Sequence, residues 1–258
     1  MKSLVLVKQV PDANSVFRIN AEGTWIDESN LSFAMNDYDR YALEELLKLK
    51  DAGKLEEVVA LTVGSPEASS VLRTCLAMGA DRAIHVKHEA SSRLDPLSIA
   101  RLVVAATRDQ DFSLILAGLQ ADDDNHTQIG GLVAGVLDWP SATAVMSLEL
   151  KDGGTLRVER ELENNELQVV DLKLPAVLSV QTGINSPRYA TLKGIMGAKK
   201  KPVTTLTAAD LGVEATSGLR SVSLSPPPTG KGADVLSGSP DEVATQLVSR
   251  IREKTGVL

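Results

Sequence analysis

Apolar positions recur along this chain with two periods. Runs at residues 4–7, 58–63, 83–86 and 114–117 are short and continuous, the pattern of strands buried on both faces. Between them the apolar residues move to helical spacing. Residues 37–49 place Tyr41, Leu43, Leu46, Leu47 and Leu49 on such a stripe, with Asn36 positioned to cap the first turn. Pro66 opens a helix that should run to Met78 and stop at Gly79. Asp95 and Pro96 start another, through about Arg108, and a small-residue segment from about Thr127 to Leu137 forms the next. Strands alternating with helices predict an α/β fold: a mostly parallel, Rossmann-like sheet with right-handed βαβ crossovers. Residues 17–27 alternate around Ala21, Glu22 and Gly23, which predicts a hairpin.

After Trp139 and Pro140 the pattern changes. Residues 142–150, 156–162 and 167–172 are strand-like and joined by Asp152-Gly153-Gly154 and Glu163-Asn164-Asn165, so an antiparallel section should extend the sheet. Residues 217–239 are rich in Ser, Pro and Gly and predict an extended arm. Ser239, Pro240 and Glu242 fit a capping box for a closing helix carrying Val243, Leu247 and Ile251. The expected division is an α/β domain over residues 1–216 and an arm with its helix over 217–258. That helix either docks on a partner or packs back on its own domain.

The block at residues 158–203 holds two apolar strand runs, then Pro187, Arg188 and Tyr189, then a short segment. In that segment Leu192, Ile195 and Met196 lie at i, i+3 and i+4. Lys199, Lys200 and Lys201 follow. A core helix with a solvated end accounts for the pattern. So does a docking device, in which the lysines steer an acidic partner and the apolar residues supply desolvated contact.

Composition narrows the field. The 258 residues are 43% hydrophobic but only 3% aromatic, so the core must be aliphatic. A net charge of −7 argues against non-specific nucleic-acid binding. The single cysteine, Cys75, sits in an apolar run and reads as a buried structural thiol. No apolar run approaches the roughly 18 residues of a membrane span. A strand begins almost at once, without a signal-peptide pattern, which predicts bacterial cytoplasm or, in a eukaryote, the mitochondrial matrix.

Ligands of open parallel sheets sit at the carboxyl ends of strands. The loops expected there are 8–13, 64–66, 85–88 and 118–128. The last is richest in polar groups: Gln120, Ala121, three aspartates, Asn125, His126, Thr127 and Gln128, leading through Ile129 to Gly130 and Gly131. It opens a helix whose first amides suit a phosphate, with Thr127 and Gln128 as added donors. Asp122, Asp123 and Asp124 would repel phosphate, so capping is their expected role, with a magnesium site as the alternative. There is no G-x-G-x-x-G after the first strand, no Walker lysine and no G-x-S-x-G. His85 and His88 should point to opposite faces of a strand, not to one metal. Arg160 should pair with a carboxylate on a neighbouring strand. No catalytic residue and no metal site is assigned.

Several motifs in order resemble the beta subunit of electron transfer flavoprotein. They are Ala34-Met35-Asn36, Leu76-Ala77-Met78-Gly79-Ala80-Asp81-Arg82, Leu137-Asp138-Trp139-Pro140, Val158-Glu159-Arg160-Glu161-Leu162-Glu163, Pro187-Arg188-Tyr189-Ala190-Thr191-Leu192 and Asp210-Leu211-Gly212. The resemblance implies AMP on this chain and FAD mainly on an alpha subunit. It implies electrons arriving from acyl-CoA or similar flavin dehydrogenases docked through Leu192 and leaving to a membrane quinone oxidoreductase. It places Leu6, Asn36 and Val63 at adenine, and Asp37, Tyr38 and Asp39 are grouped with them as cofactor-binding residues. From its position after Asn36, Tyr38 either packs near a flavin held by the partner or is a core or interface tyrosine. Gln120, Ala121, Asp124, Asn125, Thr127, Gln128, Ile129 and Gly130 fall in its phosphate loop. Thr127-Gln128-Ile129-Gly130 departs from the usual shuttling pattern, and its Gln-Ile-Gly part leans toward bifurcating members, which hold a second FAD here and oxidise NADH; Leu137-Asp138-Trp139-Pro140 leans toward shuttling members, and AMP is the expectation. A free-standing ATP- or AMP-binding module is the reading from another class.

Overall fold

The computed structural model describes residues 1–89, 91–228, 230 and 232–256. Its elements in chain order are β1 (Lys2–Leu6), β2 (Gln9–Pro11), β3 (Phe33–Met35), α1 (Asp37–Asp51), β4 (Glu57–Gly64), α2 (Ser69–Met78) and β5 (Arg82–Lys87). Then come α3 (Pro96–Thr107), β6 (Phe112–Gly118), α4 (Ile129–Leu137), β7 (Ser141–Lys151), β8 (Thr155–Glu161) and β9 (Leu167–Lys173). The last are β10 (Ala176–Val180), α5 (Leu192–Ala198), β11 (Val203–Thr207) and α6 (Pro240–Thr255).

Among the described residues the main sheet has nine strands in the order β11-β5-β4-β1-β6-β10-β7-β8-β9. Pairings from β11 to β7 are parallel, and β7, β8 and β9 continue antiparallel. The predicted architecture is therefore present. β10 follows β9 in sequence yet lies between β6 and β7, with all five residues buried. β2 and β3 form a separate antiparallel pair that the hydrophobic pattern did not announce.

Side-chain alternation divides the core into two layers. Val5, Val58, Ala60, Leu114, Leu116 and Leu178 face α1 and α2. Leu4, Leu6, Val59, Leu61, Ile115 and Val177 face α3 and α4. Both faces of the central strands are thus buried, which is why they read as unbroken apolar runs. α2 begins after a turn of 3₁₀ helix at Pro66–Ala68 and ends at Gly79, whose φ of 144° suits glycine alone. The expected hairpin at 17–27 reduces to one bridge, Ile19 with Ile26.

Residues 214–238 carry no regular element among those described, and α6 has no buried residue. Glu242 accepts from the Ser239 N–H at 2.8 Å, as the capping pattern predicted. Residues 229, 231, 257 and 258 of the expected arm lie outside the described residues.

Candidate functional site

The chain leaves β1 toward β4 on one side and later returns to β6 on the other. Winding therefore reverses between β1 and β6, and the crevice of such a sheet opens there. The segments after β1 and β6 border it. Leu6, buried, and Val63, half-buried, sit at the ends of β1 and β4 in the layer that also contains Ile129 of α4.

Residues 36–39 hold the crevice together. Asn36 occupies the N-cap position of α1 but makes no cap bond. Its buried amide instead donates to Gln120 O at 2.9 Å and accepts from the Asp122 N–H at 3.0 Å. The capping expectation fails because this long-range pairing uses the side chain. The Asp37 N–H donates to Asp122 Oδ2 at 3.2 Å, and Gln120 Nε2 to the Tyr38 hydroxyl at 3.3 Å. Asp39 is buried; its Oδ2 accepts from the Lys8 N–H at 2.8 Å and its Oδ1 from the Gly118 N–H at 3.0 Å. Burial pushes its carboxyl up to about 7, against the opposing pull of those two amides and of Asn36. Asp39 thus joins the carboxyl ends of β1 and β6 and faces inward. A Cβ on Gly118 would stand 2.5 Å from Asp39 Oδ1 and 2.6 Å from Tyr38 Cβ, so this approach requires glycine.

The three aspartates do not cap α4, as the sequence suggested. Asp122 receives the Asp37 amide. Asp123 and Asp124 each accept from Lys8 Nζ at 2.7 Å. Burial alone would lower the lysine's affinity for its proton; the two carboxylates outweigh it and raise it. Asp124 also accepts from the His126 N–H at 3.0 Å, and the Asn125 N–H donates to Ala121 O at 2.9 Å. Asn125 and Thr127 take left-handed φ values of 51° and 55°. The Thr127 hydroxyl donates to His126 O at 2.7 Å, within its own loop.

Gln128 stands at the N-cap of α4 and places no side chain on the first-turn amides. Gly130 packs so tightly that a Cβ would lie 2.3 Å from Ser179 Oγ, whereas a Cβ on Gly131 would meet nothing within 4 Å. The N-terminus of α4 is uncapped and open at Gly131, so its first amides can accept an anion. Among the described residues no group of three His, Cys, Asp or Glu could hold a metal ion.

A second candidate surface lies on α5. Leu192, Ile195 and Met196 are 82%, 48% and 74% exposed, beside exposed Tyr189, Lys199 and Lys200. The inner face is made by small residues: a Cβ on Gly194 would lie 2.3 Å from Ala77 O of α2, and Ala198 is buried. The helix packs through this small-residue side, so its large apolar side faces outward. Thr191 caps it, accepting from the Gly194 N–H at 3.1 Å.

Two cations grouped with this surface have other partners. Arg188 turns inward to Glu44, with Nε to Oε2 at 2.8 Å and Nη2 to Oε1 at 2.9 Å, and Nη2 also reaches Asp51 at 2.8 Å. Lys201 donates to Leu76 O at 2.9 Å and Ala80 O at 2.6 Å, closing the carboxyl end of α2. Pro187 is half-buried at the start of this loop.

Cys75, His85 and Arg160 have partners within the chain. Cys75 is fully buried, with Sγ 3.9 Å from Met35 Sδ, and burial raises its pKa. His85 lies within β5, not in a loop, and its Nε2 is 3.1 Å from Ser65 O. Among the described residues Arg160 pairs with no carboxylate: it reaches back to β7, to Thr143 O at 3.1 Å and Thr143 Oγ1 at 2.9 Å. It braces the strand beside Ala144, whose φ of 56° is left-handed.

Helices on both faces and a crevice at the winding reversal define a doubly wound α/β protein of the nucleotide-binding type. A model of the electron transfer flavoprotein domain matches residues 23–211. The chain is 41% identical over 258 residues, the whole of both chains, to the electron transfer flavoprotein subunit beta of Bradyrhizobium diazoefficiens. It is 38% identical over 255 residues to that of Sus scrofa, covering 98% of this chain and 97% of the relative. It is 39% identical over 261 residues to the mitochondrial electron transfer flavoprotein subunit beta of Oryza sativa subsp. indica, covering both completely. The chain belongs to the electron transfer flavoprotein family, among its beta subunits. No described helix is long and apolar enough to cross a membrane.

Proposed function

We propose that this chain is the beta subunit of an electron-carrying heterodimer whose redox FAD is held mainly by an alpha subunit. Electrons enter from acyl-CoA or similar flavin dehydrogenases that dock on α5, and leave to a membrane quinone oxidoreductase. The observation that carries the reading is the α5 surface: an outward apolar face beside two exposed lysines, on a loop locked to α1 by Arg188. Such a surface combines a desolvated anchor with steering charge. The chain is a carrier subunit and not a catalyst with its own substrate. It would work in bacterial cytoplasm or, in a eukaryote, in the mitochondrial matrix.

At the crevice, AMP would have a structural role. The first amides of α4 would hold its phosphate, and Leu6 and Val63 would border the adenine. Asn36 would act by fixing the 118–122 segment. Acid release and chromatography of nucleotides from the purified heterodimer test this. One FAD and one AMP per heterodimer are expected. Two FAD and no AMP would overturn the AMP assignment and make this chain the holder of a second flavin in a bifurcating complex. A stable, ATP-binding monomer in size-exclusion chromatography would favour a free-standing module.

A further inference from the structure

Three consecutive aspartates beside an uncapped helix end are an electrostatic contradiction if that end receives a phosphate. The structure contains a countercharge. Lys8 follows β1 at the crevice, and its Nζ contacts both Asp123 and Asp124 at 2.7 Å. Its main chain is fixed from two sides: its N–H donates to Asp39 Oδ2 at 2.8 Å, and its carbonyl accepts from the Asn36 N–H at 3.0 Å. The side chain is 35% exposed, and the carboxylates are 26% and 35% exposed, so the cluster is only partly screened by water. The third carboxylate, Asp122, is engaged by the Asp37 amide. Lys8 thereby removes half the charge of the Asp123 and Asp124 pair and turns both groups toward β1.

We propose that Lys8 is the positioning residue that lets the crevice accept a nucleotide phosphate, by neutralising and orienting the aspartates that precede α4. The inference rests on the nucleotide site proposed above and adds a role for a residue outside the loop and helix that would hold the ligand. Lys8 need not touch the nucleotide. It acts through Asp123 and Asp124, whose uncompensated charge would otherwise oppose the phosphate across the partly exposed loop.

The test is calorimetric titration of AMP, and of adenosine as the phosphate-free control, into nucleotide-stripped heterodimer. Lys8→Met is expected to weaken AMP on the order of tenfold while leaving adenosine nearly unchanged. Raising salt should shrink that deficit, because the repulsion is long-ranged. Adding Asp123→Asn and Asp124→Asn to the Lys8→Met protein should restore most of the affinity, since the opposing charge is then gone. A pin acting only through geometry would not be rescued by removing its partners. Should the triple variant bind as weakly as Lys8→Met, or Lys8→Met bind AMP like the unaltered protein, the role of Lys8 is refuted alone. Should the unaltered heterodimer fail to bind AMP, the site reading fails and the proposal falls with it. Circular dichroism and urea midpoints of each variant verify that all are folded.

Discussion

Arg188 lies in the motif that suggested docking, yet its guanidinium faces the molecule's own α1. Glu44 is 6% exposed on that helix and receives both a bidentate guanidinium contact and the Arg188 N–H at 3.0 Å. Removing one partner of a buried pair costs about 3–5 kcal/mol. Arg188 is itself 34% exposed, and Glu44 would retain the backbone N–H, so Arg188→Met should cost less, about 2 kcal/mol. The contact to Asp51, which is 64% exposed, should add little. The cost should appear as local opening of the loop before α5. Hydrogen–deuterium exchange of peptides spanning residues 185–198 would then accelerate about 30-fold. Glu44→Gln should do nearly the same. The double variant should be no worse than the poorer single one, because the pair acts as a unit. Unchanged exchange in Arg188→Met, or strictly additive effects in the double variant, would refute the claim that this pair fixes the docking loop.

Four further outcomes are expected. Leu192→Ala should slow reduction by the partner dehydrogenase while shifting the urea midpoint by less than that of about 0.5 kcal/mol, since the side chain is exposed; an unchanged rate would remove the docking role. Lys201→Met should destabilise by about 1–2 kcal/mol by leaving the Leu76 carbonyl of α2 and the Ala80 carbonyl just beyond it unsatisfied. Lys199→Gln and Lys200→Gln should leave stability unchanged and lower the partner association rate most at low salt; stopped-flow rates across ionic strength separate these cases. Because the Asp39 carboxyl is raised to about 7 in the fold, the folded state holds its proton where the unfolded chain has lost it. Its contribution to stability is present below about pH 4, falls between about 4 and 7, and is constant above. The difference in urea midpoint between the unaltered protein and Asp39→Asn should change across that window; a pH-independent difference would contradict a raised pKa.

The repeating elements were legible because burial on both sheet faces and helical amphipathicity are local patterns. The central strands, the antiparallel section and the α4 glycines could be read from spacing alone. The side-chain partners could not. Lys8 meets Asp123 and Asp124 across more than a hundred residues, and Arg188 meets Glu44 at similar separation. Nothing near either residue in sequence signals the pairing. Asn36 is a favourable N-cap residue, but its tertiary partners on the 118–122 segment displace that use. Arg160 finds Thr143 because β7 is irregular there. The inner face of α5 was concealed by its composition: glycine and alanine carry little hydrophobic signal, yet they permit the closest approach to α2. Gly194 and Ala198, at i and i+4, were the available clue.

The position of β10 also bears on how the molecule is made. Local hairpins can assemble β7, β8 and β9 soon after those residues emerge from the ribosome, but that ribbon joins the parallel strands only through residues 176–180. β11, which covers β5, arrives later still. Until residue 180 has been synthesised β6 presents an unpaired edge, wholly apolar at Leu114, Ile115 and Leu116, and until residue 207 has been synthesised β5 presents another. Such edges are where nascent chains pair with one another. The last strands of the sheet are therefore also its closures, and a chain stopped short of them keeps its stickiest backbone open to its neighbours.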